Sequence, residues 1–276
     1  MEVAMSDLEK TLDKGVSRKS FLKTAGAGLG LAAGALVFGT GIAGAQTAAP
    51  AGSVAESPFP LVTLDGDEAR LRGHAGYYKA GCAYGGFYAV LSLLREKVGG
   101  PYNQVPLRML RYGGAGIANW GTICGALNGA CAAITLAVPD ADVAKLCGEL
   151  LGWYTRFPFP SATSNALATS GGFKYSPATH PKLDLVTSVS DSPLCHASNA
   201  KWIAKSGYGL STPERKERCA RLTADVAAKA VELLNAYKAG TFVPTFKVDD
   251  ATANCLSCHS DDQEGKMECT TCHDPH

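Results

Sequence analysis

Residues 213–239, PERKERCARLTADVAAKAVELLNAYKA, decide the architecture. Pro213 suits a first helical position, and Ser211 with Glu214 three residues later makes a capping box ahead of it. Val226, Ala230, Leu233 and Leu234 then recur at the spacing of one buried helical face. Working outward, residues from about Asp67 to Val98 read as one long helix, begun by Asp65 or Asp67 and stopped by Gly99-Gly100-Pro101. The glycines at 73, 76, 81, 85 and 86 are unfavourable there, by about 1 kcal/mol each against alanine. They mark close packing, a crowded site or a break. Residues 116–137 read as a second apolar helix with Cys124 and Cys131 two turns apart on one face. Asp140 caps a third helix that ends near Phe157-Pro158. Residues 158–190 read as loop, and a shorter helix covers Leu194 to Lys205. No run alternates as a strand would. The expectation is an all-α fold: a helical body over residues 66–244, then a short, mostly irregular segment over 245–276.

That last segment contains C-x-x-C-H twice: Cys255, Cys258, His259, and then Cys269, Cys272, His273. This is the attachment pattern of covalently bound haem c. Two thiols about one turn apart can form thioethers with the haem vinyl groups, and the adjacent imidazole can ligate the iron. Zinc knuckles also pair cysteines, but they do not require histidine directly after the second cysteine of both pairs. The expectation is two haem c per chain, with His259 and His273 as proximal ligands.

The beginning of the chain fits a haem protein, because haem c is attached outside the cytoplasm. Ser17-Arg18-Lys19-Ser20-Phe21-Leu22-Lys23 precedes a Gly/Ala-rich apolar stretch from Ala25 to about Ala43, and Ala43-Gly44-Ala45 suits a signal peptidase. The pattern is twin-arginine-like, with Lys19 in place of the second arginine. Residues 1–45 are expected to be an export signal peptide, giving a periplasmic protein with no stable membrane insertion after cleavage. Residues 46–65, rich in Ala, Pro and Ser, read as a linker or arm. The 231 residues after the leader suffice for one sizeable core. They are formally neutral and hold no basic run, which excludes a nucleic-acid footprint. The neutrality hides an asymmetry: residues 245–276 carry a net −5 and residues 46–244 a net +5.

Six further cysteines remain: Cys82, Cys124, Cys131, Cys147, Cys195 and Cys219. Three readings stand open: disulfides in an exported chain, unpaired core thiols, or an iron–sulfur cluster on four of them. Small neighbours in Gly81-Cys82-Ala83-Tyr84-Gly85-Gly86 and Cys124-Gly125-Ala126-Leu127-Asn128-Gly129 would let backbone N–H groups approach cluster sulfurs.

The segments GCAYGG, CGALNG, SPLCHASNAKW and ERCARLTADVAAKAVELLN, with the terminal C-x-x-C-H pair, resemble the split-Soret cytochromes c of sulfate-reducing bacteria. Their body belongs to a wider group of redox-active proteins marked by a GCAxxG-type cysteine motif. The resemblance spans most of residues 66–276 and is weakest around 158–190. It implies a homodimer with two haems per subunit stacked at one end, and an iron–sulfur site in the cysteine-bearing helices. Carried over segment by segment, it implies Cys82, Cys124, Cys195 and Cys219 as cluster ligands and leaves Cys131 and Cys147 in the core. The wider group has another cysteine two residues before its Gly-Cys-Ala; here that residue is Lys79.

Distal haem ligands are sought among His276, His180 and His196, with His74 and Met267 behind them. A Met thioether would raise the potential, which fits poorly with low-potential cytochromes. The functional expectation is electron transfer by bis-His, low-spin haems, with the acidic tail docking a basic redox protein such as a tetrahaem cytochrome. The alternative is a haem-dependent reductase of a small oxyanion or peroxide, which needs an open iron and a cationic pocket; Arg108 and Arg111 are the candidates for it.

Overall fold

The computed structural model describes residues 56–260 and 265–274, all within one compact unit, Val54–His276. The expected leader, the first part of the arm and His276 lie outside the described residues. Among the described residues the α-helices are α1 (Gly66–Ala80), α2 (Cys82–Lys97), α3 (Gly125–Thr135), α4 (Asp140–Arg156), α5 (Ala162–Thr169), α6 (Cys195–Ser206), α7 (Pro213–Lys238) and α8 (Asp250–His259). No strand occurs among them, only the isolated bridges Ile123–Leu194 and Phe159–Ser188. The fold is all-α, as expected from the sequence.

α7 is the axis, packed against α1, α2, α3, α4 and α5. Pro213 sets its frame: with proline at the first helical position, the residue before it becomes the cap. Thr212, not Ser211, therefore accepts from the Arg215 N–H, and the expected capping box does not form. The expected stripe is buried, with Val226, Ala230 and Leu234 fully enclosed and Leu233 6 % exposed.

The long helix expected over 67–98 is broken at Gly81. Its φ of 90° and ψ of 177° lie in a region essentially reserved for glycine. Other glycines in that run permit contact instead: a Cβ on Gly76 would stand 2.7 Å from the Gly85 Cα. α1 and α2 thus fold back on each other as a close hairpin. The helix expected over 116–137 begins only at Gly125, because Cys124 N–H is taken by the Pro193 carbonyl at 2.8 Å. Residues 115–121 form turns instead, with positive φ at Ala115, Gly116, Ala118, Asn119 and Gly121. Cys124 and Cys131 therefore do not share a helical face. Asp140 opens α4 as its first residue, after Pro139 in the cap position. The stretch expected to be loop, 158–190, contains α5, capped by Ser161. The tail, expected to be nearly structureless, contains α8, capped by Asp249.

Polar groups inside the body are arranged around α7. Glu217 is fully buried and accepts from His74 Nε2 (3.1 Å), Arg221 Nε (2.7 Å) and Tyr78 Oη (2.6 Å). Arg221 also donates to Asn165 Oδ1 and to the Leu183 and Pro181 carbonyls, which fastens the 170–190 segment to the helix. Asp225 pairs with Arg70 and accepts from Ser161 and Ser164. Burial holds His74 below the usual imidazole range. Burial opposes the charge of Glu217 too, but its hydrogen bonds, led by His74, outweigh this and bring its pKa down to about 2.

Both shifts make the body acid-sensitive. A neutral buried His74 loses stability once pH falls below its ordinary value of 6.5; Glu217 loses it between its ordinary 4.5 and about 2. Urea midpoints are therefore expected to fall in two stages on acidification. The lower stage should carry on the order of 3 kcal/mol. Glu217→Gln should abolish that lower stage and lower stability at neutral pH; an unchanged acid profile in this variant would contradict the assignment.

Candidate functional site

Three helices begin at cysteines that lie together. Cys82 is the first residue of α2, Cys124 caps α3, and Cys195 opens α6. Cys219, from the first third of α7, is the fourth. The thiols are close enough to act on one another: Cys124 and Cys219 both raise Cys82, and Cys124, Cys219 and Cys82 all raise Cys195. The paired turns Thr122–Cys124 and Pro193–Cys195 are tied by Cys124 N–H to the Pro193 carbonyl (2.8 Å) and Cys195 N–H to the Thr122 carbonyl (2.7 Å). Asn199 links Cys195 to Cys219. Its Nδ2 donates to Cys195 Sγ at 3.2 Å, and its Oδ1 accepts from Cys219 Sγ at 3.6 Å.

Glycine makes the convergence possible. A Cβ on Gly125 would stand 2.1 Å from the Gly113 carbonyl oxygen and 2.4 Å from Cys82 Sγ. Without a side chain there, the start of α3 comes down onto the Cys82 thiol.

Helix N-termini present unpaired N–H groups and a positive partial charge. The N–H groups of Ala83 and Ala115 point at Cys82, and that of Ala126 at Cys124. Burial nevertheless pushes Cys82 up to about 12, and raises Cys124 and Cys195 as well. Alone, these thiols stay neutral. A metal ion that displaced their protons would find a preformed set of soft ligands and N–H donors to the resulting thiolates. The donor set fits an iron or iron–sulfur group.

Arg218 also reaches this site, and nothing in the sequence motifs singled it out. It is fully buried, its Nη2 donates to Ser198 Oγ at 2.8 Å, and its charge lowers both Cys124 and Cys195. The phenol of Tyr154 lies against Cys124 and Ser198. Such residues leave one linear trace: Arg218, Arg221 and Asp225 are charges at helical spacing on a helix whose face is otherwise apolar.

Cys131 and Cys147 stand apart from this group, on α3 and α4. Their thiols act on each other, which raises Cys131 and lowers Cys147. No disulfide joins any of the ten cysteines. Lys79 is exposed and lies over the rings of Tyr84 and Tyr88, so the position of the wider group's extra cysteine is a surface cation here.

The second constellation is the tail. Cys255, Cys258 and His259 fall at i, i+3 and i+4 in the last turn of α8, hence on one face. Cys269 to His273 form a single turn, with Cys272 and His273 N–H groups on the Cys269 carbonyl (3.1 and 3.0 Å). Cys255 and Cys269 line the same cavity, so the two motifs abut. Cys255, His259, Cys269, Cys272 and His273 line a cavity of about 760 Å³, whose far wall is Ile123, Leu151, Gly152 and Pro193 of the body. That volume is in the range of ligand sites. The donor chemistry of both turns fits thioether-bound haem. Ile123 and Pro193 belong to the two cysteine-bearing turns, so this pair of hydrogen-bonded turns adjoins both the tail cavity and the cysteine site.

The distal candidates separate in space. His180 is packed in the body, 3.5 Å from Glu217 and near His74 and Phe173. His74, His180 and Glu217 offer ligand atoms within 4.8 Å of one another. Arg221, however, already occupies the carboxylate, and a dication would sit beside a buried positive charge. His196 is exposed at the start of α6. Met267 lines the tail cavity; neither His180 nor His196 does. Arg108 and Arg111 are exposed and lie outside that cavity.

Residues 84–233 match the family described as "Putative redox-active protein (C_GCAxxG_C_C)". The chain is 36% identical over 265 residues to "Split-Soret cytochrome c" of Desulfovibrio desulfuricans, covering 88% of this chain and 90% of the relative. A solved structure, "A novel iron centre in the split-Soret cytochrome c from Desulfovibrio desulfuricans ATCC 27774", superposes with a TM-score of 0.69 at 36% identity, covering 82% of this chain and 92% of that chain. The chain belongs to the GCAxxG redox-active family and, within it, to the split-Soret cytochromes c.

The tail is docked by one acid. Glu149 of α4 accepts from Thr245 N–H and Phe246 N–H (2.8 Å each) and from Thr245 Oγ1 (2.5 Å). Phe246 lies on Gly152, where a Cβ would stand 2.0 Å from its ring. Hydrogen bonds to a charged group are worth about 1.5–3 kcal/mol. Glu149→Gln is therefore expected to lower hydrogen-exchange protection of the Thr245 and Phe246 amides by about tenfold or more. Unchanged protection would show that the tail docks by other contacts.

Proposed function

We propose that this chain is a periplasmic electron carrier. It holds two covalently bound haem c groups, one on Cys255, Cys258 and His259 and one on Cys269, Cys272 and His273. It also holds an iron–sulfur cluster at Cys82, Cys124, Cys195 and Cys219. The observation that carries the reading is the shared wall: the hydrogen-bonded turns of Ile123 and Pro193 adjoin both the cavity lined by the C-x-x-C-H motifs and the four convergent cysteines. When bound, these groups supply one-electron chemistry at two adjoining places. The protein's residues do the rest. The helix N-termini and Asn199 orient the sulfurs, burial excludes water from Cys82 and Cys124, and Glu149 with Phe246 holds the tail against the body.

In this proposal the haems are low-spin and bis-His, with distal ligands drawn from His276 and His196, His180 being packed in the body against Glu217, and the chain is a homodimer joined at its haem end. The shared lining of one cavity by both motifs supports close haem stacking, which should split or distort the Soret band. The acidic tail is proposed to dock a basic redox protein such as a tetrahaem cytochrome. Among the described residues no helix is long and apolar enough to cross a membrane.

Intact mass of the matured chain is expected to show two haem additions. Cys258→Ala and Cys272→Ala should each disrupt one attachment, and Cys131→Ala neither; fewer than two haems on wild type would refute the reading. Reduced protein should bind carbon monoxide poorly, whereas rapid stoichiometric binding would instead indicate the reductase of a small oxyanion or peroxide. Electron-transfer rates with a basic tetrahaem cytochrome should fall with salt, since the Debye length shrinks to about 8 Å at physiological ionic strength.

A further inference from the structure

Among the described residues, two arginines near α7 have carboxylate partners, and Arg218 does not. Arg221 meets Glu217, Asn165 and two carbonyls, and Arg70 meets Asp225. Arg218, the residue before Cys219, is 0% exposed and meets only Ser198 Oγ, through Nη2. Its Nε and Nη1 have no hydrogen-bond partner. No carboxylate pairs with it among the described residues. An unpaired charge in a protein interior is strongly unfavourable, and two unused donors beside it add to the penalty. What stands near this cation is the cysteine site: its one partner, Ser198, lies a turn after Cys195 on α6, and Arg218 directly precedes Cys219 on α7.

We propose that Arg218 is the counter-charge of the cysteine site, its Nε and Nη1 donating to the anionic sulfurs that exist only when metal is bound. Ligation displaces one proton from each coordinating thiol to solvent and leaves a thiolate on the metal. The negative charge so created is what Arg218 awaits. The inference rests on the reading that these cysteines hold an iron centre and adds a role that reading does not contain. Arg218 is a positioning and charge-compensating residue, not a ligand. It favours metal retention, and it favours the reduced form of the centre, which carries one more negative charge. Arginine suits the task better than lysine, because a planar guanidinium offers several donors in fixed directions and stays charged when buried.

The test compares wild type, Arg218→Met and Arg218→Lys as full haem-bearing chains, each metal-free at the cysteine site and each loaded with iron and sulfide. The metal-free Arg218→Met chain is expected to melt higher than metal-free wild type, because an uncompensated charge has been removed. Loaded Arg218→Met is expected to melt lower than loaded wild type and to lose iron to a chelator about tenfold faster, with Arg218→Lys between. Its potential should shift downward, by about 59 mV for each tenfold loss in preference for the reduced form. Opposite signs in the two states are the signature, since an arginine that merely braced Ser198 would destabilise both. Equal destabilisation of both states, or unchanged iron retention and potential, overturns the proposal. If Arg218→Met does not fold, Arg218→Lys decides: iron loss and potential indistinguishable from wild type would overturn it. A wild-type chain that takes up no iron beyond its haems removes the iron-centre reading itself. Normal uptake with an insensitive Arg218 removes this inference alone.

Discussion

A helix buried along most of its length cannot carry Glu217, Arg218, Arg221 and Asp225 unless each charge finds a partner, and the places of those partners organise the molecule. Glu217 and Arg221 draw in α1 through His74 and Tyr78, and the 170–190 segment through its carbonyls. Asp225 draws in Arg70 and the start of α5. Arg218 reaches α6 instead, through Ser198, a turn after Cys195. The polar groups of α7 thus divide its surroundings into a structural side, already compensated, and a side whose compensation, in the proposal made above, would come with metal.

The same economy governs the cysteine site. Three helix N-termini brought together would leave N–H groups aimed at one small volume. An anionic sulfur site is what such a volume accommodates. The short turns that fix Cys124 and Cys195 also supply Ile123 and Pro193 to the tail cavity. Body and tail are therefore joined where both kinds of redox chemistry would be held. The tail's 32 residues fall below the roughly 40 at which a segment seldom folds alone. Docking through Glu149, Gly152 and Phe246 supplies what the segment lacks.

Much of this was legible in the sequence, for identifiable reasons. The two C-x-x-C-H turns are local chemistry, complete within five residues each, and need no tertiary information to be read. α7 was legible because Pro213 and an apolar stripe agree. Its cap was misplaced by one residue because Ser211 and Thr212 are chemically equivalent until proline sets the frame. The break at Gly81 was one of three meanings a glycine-rich run could have; only the φ of that residue distinguishes it from Gly76 and Gly85, which serve packing. The apolar run at 116–137 misled because periodicity ignores competition: a long-range bond from Cys124 to Pro193 outweighs about two and a half further turns of helix. Arg218, Asn199 and Glu149 were illegible as functional residues because their roles exist only between distant elements. Helix in the tail was missed because Asp249 is a capping signal in a segment too polar to show a stripe.

The central claim is that the body, and not only the tail, holds iron. Iron, haem and acid-labile sulfide measured together on anaerobically purified wild-type protein test it most directly. The account predicts iron in excess of the haem iron, accompanied by sulfide. Iron equal to haem, with no sulfide, would contradict it.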